Sequence, residues 1–172
     1  MRYKCSCCGK EHDEWPTLAW YSPNAYDELT NEEKKEIGQL SNDFCVITHP
    51  DQTDRFIRCT LTQKVIDHCQ NLEYGIWVSL SEESFQDYAD NFHNENHLTQ
   101  YFGWFCTNIP DYKKTLNIPT TVKTRTGNLR PEVIPNQEFN HPFVKDYFNG
   151  ITKEEAERRI KNALNDTAPI LK

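Results

Sequence analysis

Three consecutive segments of alternating hydrophobicity constrain the fold of this chain most strongly. They cover residues 43–48, 55–61 and 74–80. In the second segment Ile57, Cys59 and Leu61 share one face, and the residues between them share the other. A period of two residues predicts β-strands. Three strand candidates followed by helices indicate an α+β fold with an antiparallel sheet at its centre.

Helix-capping patterns place the flanking helices. Thr30 with Glu33, Ser81, Pro142 and Thr152 with Glu155 each begin a predicted helix, and Gly150 ends the third. Residues 101–107 are aromatic and are interpreted as extended or helical, while 120–125 and 132–134 are further strand candidates. We therefore expect a mainly antiparallel central sheet with flanking helices and an N-terminal zinc-knuckle hairpin. One domain spans residues 3–165, with the knuckle at 3–12 packed on its body, and 166–172 form a tail.

The composition limits the partners that the chain can bind. With 172 residues, 12 % of them aromatic, the chain is long enough to build a core from a few large side chains. Its formal charge of -7 argues against broad binding to nucleic acid or to an anionic membrane. A local basic patch is still possible, because Asp111 is the one acidic residue in the stretch 111–130, which has five basic residues. They are Lys113, Lys114, Lys123, Arg125 and Arg130.

The N-terminus and the cysteines indicate a cytoplasmic protein. Residues 1–5 lack the apolar run of a secretory signal, and no stretch approaches the length of a transmembrane helix. Seven cysteines in such a chain predict a reducing compartment, with thiols that are free or bound to metal.

Several local patterns together resemble one family. They are Cys5-x-x-Cys8-Gly9-x-x-His12, the segments 41–47, 56–58, 75–81, 101–104 and 129–131, and His141-Pro142 followed by Gly150-Ile151-Thr152. Their order and spacing resemble the bacterial family catalogued as domain of unknown function 2199, from about residue 3 to about residue 164. The resemblance implies a bacterial, stand-alone, single-domain protein. It implies no activity, because the family has none assigned.

The first dozen residues predict a zinc site. Cys5 and Cys8, followed by Gly9, have the form of a zinc knuckle, whose turn aims both sulfurs at one point. We expect His12 and Cys45 to complete the ligand set. The alternatives are a pair of unmetallated thiols, a loop histidine and a cysteine that acts as a small core residue. Four protein ligands would make the zinc structural, whereas three ligands and a water would leave it open for catalysis.

A pair of histidines further along the chain is interpreted without a metal. His93 and His97 are four residues apart, so on a helix they would share one side and could bind metal. Asn94 and Asn96 indicate that the helix ends in this region. We therefore interpret both histidines as part of a solvated helix end.

A ligand pocket is the second candidate site. Arg58 and Arg130 could supply cationic donors, Trp77 and Trp104 aromatic walls, and His141 a further polar group, which suits an anionic ligand. The alternative is structural. Arg58 or Arg130 would then pair with a carboxylate such as that of Asp43 or Asp67, and the tryptophans would fill the core. For Trp77, which alternates with Ile76 and Val78, we expect burial on its own side of the sheet.

The sequence leaves two classes of function open. The first is a non-enzymatic domain with a structural zinc that binds a protein partner. The second is a zinc-assisted hydrolase with His141 or Asp43 as its general base. A nucleic-acid module is disfavoured by the charge. The sequence determines neither the partner nor the oligomeric state.

Overall fold

The computed structural model describes the backbone of residues 2–4, 11–127, 129–165 and 170–171, and the side chains of residues 14–127 and 129–163. The strands are β1 (Arg2–Lys4), β2 (Glu11–Asp13), β3 (Thr17–Ala19), β4 (Gly38–Leu40), β5 (Phe44–Thr48), β6 (Thr53–Gln63), β7 (Leu72–Leu80), β8 (Gln100–Phe105), β9 (Pro119–Lys123), β10 (Glu132–Pro135) and β11 (Ile170–Leu171). The helices are α1 (Asn24–Asp27), α2 (Asn31–Glu36), α3 (Glu82–Asp90), α4 (Pro142–Asn149) and α5 (Lys153–Asn165).

A five-stranded barrel forms the centre of the fold. Strands β6 to β10 pair with their sequence neighbours in antiparallel fashion. The ring closes because β10 also pairs with β6, in parallel, through Glu132 and Thr60. The predicted antiparallel sheet is thus confirmed. Its closure into a barrel was not predicted, because it depends on one contact between distant segments.

Further strands extend the barrel on two sides. The N-terminal half of β6 pairs with β5, which pairs with β4, and β7 pairs in parallel with β3, which pairs with β11. Strands β1 and β2 pair in a separate two-stranded sheet. Cys5 and Cys8 lie outside the described residues, so the zinc knuckle stays a prediction.

Helix starts follow the capping patterns. Thr30 Oγ1 accepts a hydrogen bond from the backbone N–H of Glu33, and the Glu33 carboxylate accepts one from the backbone N–H of Thr30, which completes a capping box for α2. Ser81 Oγ caps α3 by accepting a hydrogen bond from the backbone N–H of Ser84. Of the helices in the described parts of the chain, none is both long and apolar enough to cross a membrane.

The main core faces the barrel interior. It includes alternate residues of β6 and β7, and α3, α4 and α5 pack apolar residues against it. Gly103 on β8 permits the close approach of β7, because a Cβ atom there would lie 2.8 Å from the carbonyl oxygen of Ser79. The aromatic 101–107 segment is therefore extended at β8 and does not form a helix.

A second core lies on the other face of β6 and β7. Trp77 is 0 % exposed and packs with Cys45, Ile47 and Phe56. The expected burial of Trp77 is confirmed. The segment that covers this face of the sheet was not predicted. Partly buried residues between Trp20 and Ile37, around α1 and α2, pack on it. Helices α3 and α5 pack on the main core.

Candidate functional site

A cavity of about 410 Å³ lies where β6 changes its neighbour. The backbone N–H of Arg58 donates to the carbonyl of Asp43, just before β5, at 2.9 Å. Two residues later the backbone N–H of Thr60 donates to the carbonyl of Pro131, just before β10, also at 2.9 Å. The neighbours of β6 therefore diverge between these two bonds. Asp43 and Thr60 both line the cavity.

Two guanidinium groups line the cavity from the segment between β9 and β10. Arg125 donates from Nε to the carbonyl oxygen of Arg130 at 2.8 Å and from Nη2 to Thr60 Oγ1 at 2.9 Å. Arg130 donates from Nε to Asp43 Oδ1 at 2.6 Å. These bonds tie both arginines to β6 and to the start of β5. The cationic wall is therefore held in place before any ligand binds.

The lining carries an excess of positive charge. Among its described residues Asp43 is the one acidic group, against the two cations Arg125 and Arg130, and it pairs with Arg130. The side chains of Arg130 and Asp43 are 37 % and 23 % exposed, so water screens part of their attraction. A guanidinium is a flat fork with five donors that suits carboxylate and phosphate oxygens. The geometry thus favours an anion.

Apolar side chains also line the cavity. They are Tyr88 on α3, Phe92 just after this helix, and Leu129 beside Arg130. Phe92 packs against Phe44, with ring centroids 4.9 Å apart. Burial raises the pKa of Tyr88 well above its ordinary range, so its phenol stays neutral at physiological pH. The cavity can therefore hold a ligand that joins an anionic group to an apolar one.

His97 also lines the cavity, and its position corrects the interpretation as a solvated helix end. Its Nε2 lies 3.0 Å from both Asp87 Oδ2 and Tyr101 Oη. Its carbonyl accepts a hydrogen bond from Thr124 Oγ1 at 2.8 Å. Helix α3 has already ended at Asp90, so the loop is free to turn His97 inward. Sequence spacing could not reveal this, because Asp87 and Tyr101 lie on different elements.

Arg58 lies on the outer face of β6, beside this region. Its side chain is 4 % exposed, and its guanidinium carbon lies 6.0 Å from the ring centroid of Trp77. Nη1 is 3.4 Å from the carbonyl oxygen of Asn42, but Nε and Nη2 have no hydrogen-bond partner among the described residues. Burial, and then repulsion from Arg130, lower the pKa of Arg58. It is thus a buried and poorly compensated cation.

Of the five residues predicted for a ligand pocket, the structure brings three into one region. Arg58 packs over Trp77 and interacts electrostatically with Arg130, and Arg130 lines the cavity. Trp77 belongs to the second core and does not wall the cavity. Arg130 therefore lies in the cavity lining with Arg58 beside it, and Trp77 lies in a packed core instead.

The other two predicted residues lie outside the cavity lining. Trp104 is 45 % exposed on β8 and packs edge-to-face against Phe102, which is also exposed. His141 is the N-cap of α4: its Nδ1 accepts from the backbone N–H of Phe143 at 3.1 Å, and its Nε2 donates to the carbonyl of Lys113 at 2.7 Å. Both imidazole nitrogens are thus engaged, which leaves none to act as a general base. Arg125 lines the cavity, although the sequence predicted it only as a member of the basic patch.

The predicted zinc ligands are only partly described. Cys5 and Cys8, and the side chain of His12, lie outside the described residues. Cys45 is fully buried between Ile47, Phe56 and Trp77, and burial raises the pKa of its thiol to about 12. Within the part of the chain that the structure describes, no three His, Cys, Asp or Glu side chains are grouped to hold a metal ion. The four-ligand site therefore stays a prediction.

Comparison with known proteins places the chain in a family. No curated protein matches it, and no solved structure does. A family model described as an uncharacterized protein conserved in bacteria matches residues 4–151, which is most of the chain. Those residues include the whole barrel, the cavity lining and Arg58. The chain therefore belongs to this bacterial family of uncharacterised proteins, DUF2199.

Proposed function

We propose that this domain acts by binding a small anionic ligand in the cavity beside β6. The observation that carries the proposal is the pair of guanidinium groups, Arg125 and Arg130, fixed on one wall against a single described carboxylate. Preorganised guanidiniums bind anions with little ordering cost, because their side-chain entropy is already lost.

The buried cation Arg58 supports the same proposal. Repulsion between Arg58 and Arg130 disfavours the charged form of Arg58. An anion bound near Arg130 would offset that repulsion. The apolar side chains of Tyr88, Phe92 and Leu129 in the lining indicate that the ligand also carries an apolar part. Phenyl phosphate has both features, and inorganic phosphate has only the first.

Calorimetric titration at low chloride concentration tests this proposal. We expect phenyl phosphate to bind more tightly than inorganic phosphate. Arg125→Gln and Arg130→Gln should each weaken binding of phenyl phosphate about tenfold, the usual size of a lost charge-assisted hydrogen bond. Lys123→Gln is the matched control, because it removes the same charge from an exposed position on β9 that does not line the cavity. Equal losses in all three variants, or no binding by the wild type, would contradict the proposal.

We also propose a structural zinc at the N-terminus of a cytoplasmic protein. The support is the Cys5-x-x-Cys8-Gly9 spacing and the number of cysteines. Elemental analysis of protein purified without added metal should find about one zinc per chain. Cys8→Ser should lose that zinc, whereas Cys7→Ser, outside the knuckle register, should keep it. Equal zinc contents in the two variants would contradict the assigned register.

A protein partner is the second candidate function. The exposed pair Phe102 and Trp104 on β8 favours it, because large aromatic side chains are enriched at interfaces. The hydrolase alternative would need an open metal position and a base other than His141. The number of protein ligands around a bound zinc distinguishes it from the structural zinc.

A further inference from the structure

The hydrogen bonds of His97 fix which of its nitrogens carries a proton. Tyr101 Oη donates to Asp87 Oδ2 at 2.6 Å, so its proton is already used. His97 Nε2 lies 3.0 Å from that same carboxylate oxygen and 3.0 Å from the phenol oxygen. Both neighbours can therefore only accept. Nε2 must carry the hydrogen, and Nδ1 is the nitrogen that gains or loses a proton.

The two hydrogen-bonding neighbours of the imidazole, Asp87 and Tyr101, keep their own charge near neutral pH. The hydrogen bond from Tyr101, and then that from His97, hold the pKa of Asp87 below its ordinary value. Burial raises the pKa of Tyr101. The other charged or titratable groups around this loop and cavity are His93, Glu95, Arg125, Arg130, Asp43 and Tyr88. Histidine is the side-chain type among these whose charge ordinarily changes between pH 5 and 8.

Protonation of His97 raises the positive charge of the cavity lining and keeps the hydrogen bond to Asp87. The Nε2–H bond to Asp87 exists in both protonation states. The added proton on Nδ1 turns an acceptor into a donor and adds one positive charge to a lining that already holds Arg125 and Arg130. Extra positive charge close to a bound anion strengthens binding. Thermodynamic linkage then requires that the anion, once bound, also favours the charged imidazole.

We propose that anion binding in this cavity is coupled to proton uptake at His97 Nδ1, so that the site binds anions more tightly at low pH. This inference rests on the proposed function. It assigns to His97 the regulation of the same site.

Sulfate is the probe for the test, because it stays a dianion throughout the range from pH 5.5 to 8. We expect its affinity for the wild type to rise about fivefold from pH 8 to pH 5.5, as one added charge near the site implies. Titrations in two buffers of different ionisation enthalpy should show net proton uptake on binding. His97→Gln should bind sulfate with little change over this range, because an amide keeps a donor for Asp87 and does not titrate. His93→Gln is the control and should behave as the wild type.

The outcomes separate this inference from the proposed function. If sulfate binds through Arg125 and Arg130 but equally at both pH values, the role of His97 is wrong and the binding site stands. If neither sulfate nor phenyl phosphate binds at either pH, both fail. Should His97→Gln not fold, NMR of the wild-type imidazole answers the same question. Sulfate must raise the titration midpoint of His97 Nδ1, and an unchanged midpoint would overturn the inference.

Discussion

Arg159 and Arg58 are both buried, but their surroundings differ in how well they compensate the positive charge. Their exposed fractions are almost equal, at 2 % and 4 %. Arg159 on α5 donates to Glu155 at 2.8 Å and to Asp146 at 3.1 Å, and its guanidinium carbon lies 4.7 Å from the ring centroid of Tyr112. Arg58 on β6 has a 3.4 Å contact with one carbonyl and two nitrogens without a partner among the described residues.

The pKa directions follow the same contrast. Burial disfavours the charge of Arg159, but Tyr74 and Glu155 outweigh it, and the pKa of Arg159 is raised. Burial and repulsion from Arg130 lower the pKa of Arg58. A compensated buried arginine links elements of the fold, and here Arg159 joins α5 to α4. An uncompensated one is costly to keep without a further role, which is why we connect Arg58 with an anion nearby.

The largest expected effect tests the aromatic support of Arg58. Trp77→Ala should lower the free energy of unfolding by about 3 to 5 kcal/mol, because it empties the second core and removes the indole N–H bond to the carbonyl of Trp20. Urea denaturation measures this. Trp104→Ala, which truncates a half-exposed ring, is the control and should cost less than about 1 kcal/mol. Similar losses would mean that the region around Arg58 is not a packed core.

An intermediate effect is expected at the compensated arginine. Arg159→Met should destabilise the protein by about 2 to 3 kcal/mol, since it leaves Asp146 without its cation and Glu155 with Arg158 alone. Both carboxylates are partly exposed, which keeps the loss below that of a fully buried pair. The same denaturation measurement applies. A loss under about 0.5 kcal/mol would show that Arg159 contributes no more to stability than we expect of Arg58.

The smallest expected effect is at the uncompensated arginine. Arg58→Met should leave the free energy of unfolding within about 1 kcal/mol of the wild type, with any change towards higher stability, because methionine fills similar space without a buried charge. Phenyl phosphate should nevertheless bind this variant more weakly. A loss of stability as large as that of Arg159→Met would show that the charge of Arg58 is compensated as well as that of Arg159.

Local sequence signals predicted the elements but not their closure. The alternation at Ile57, Cys59 and Leu61 and the capping box at Thr30 depend on neighbouring residues, and both are confirmed. Closure of the barrel rests on Glu132 beside Thr60, a pairing of residues far apart in sequence that no local pattern encodes. The short strands β3, β4 and β11 were missed because each is too brief to show a period.

The candidate site was predictable only where a residue type alone points to chemistry. Arg130 was selected as a cation and does line the cavity. Trp104 and His141 were selected in the same way and lie elsewhere, because which face a strand exposes and which residue caps a helix depend on packing. Asn94 and Asn96 led to the interpretation of His97 as part of a solvated helix end. Its partners, Asp87 and Tyr101, come from two separate elements that no local pattern connects.

The parallel pairing that closes the barrel also bears on the order of folding. Strands β6 and β7 are joined by a short connection and pair along most of their length, so they can form early at little entropic cost. We expect strand β10 to reach β6 only after β8 and β9 have formed their ladders, because non-local pairing of this kind is slow. Thr60 on β6 and the two arginines that precede β10 all line the cavity beside that junction. We therefore expect a bound ligand to slow unfolding and to leave the rate of folding almost unchanged.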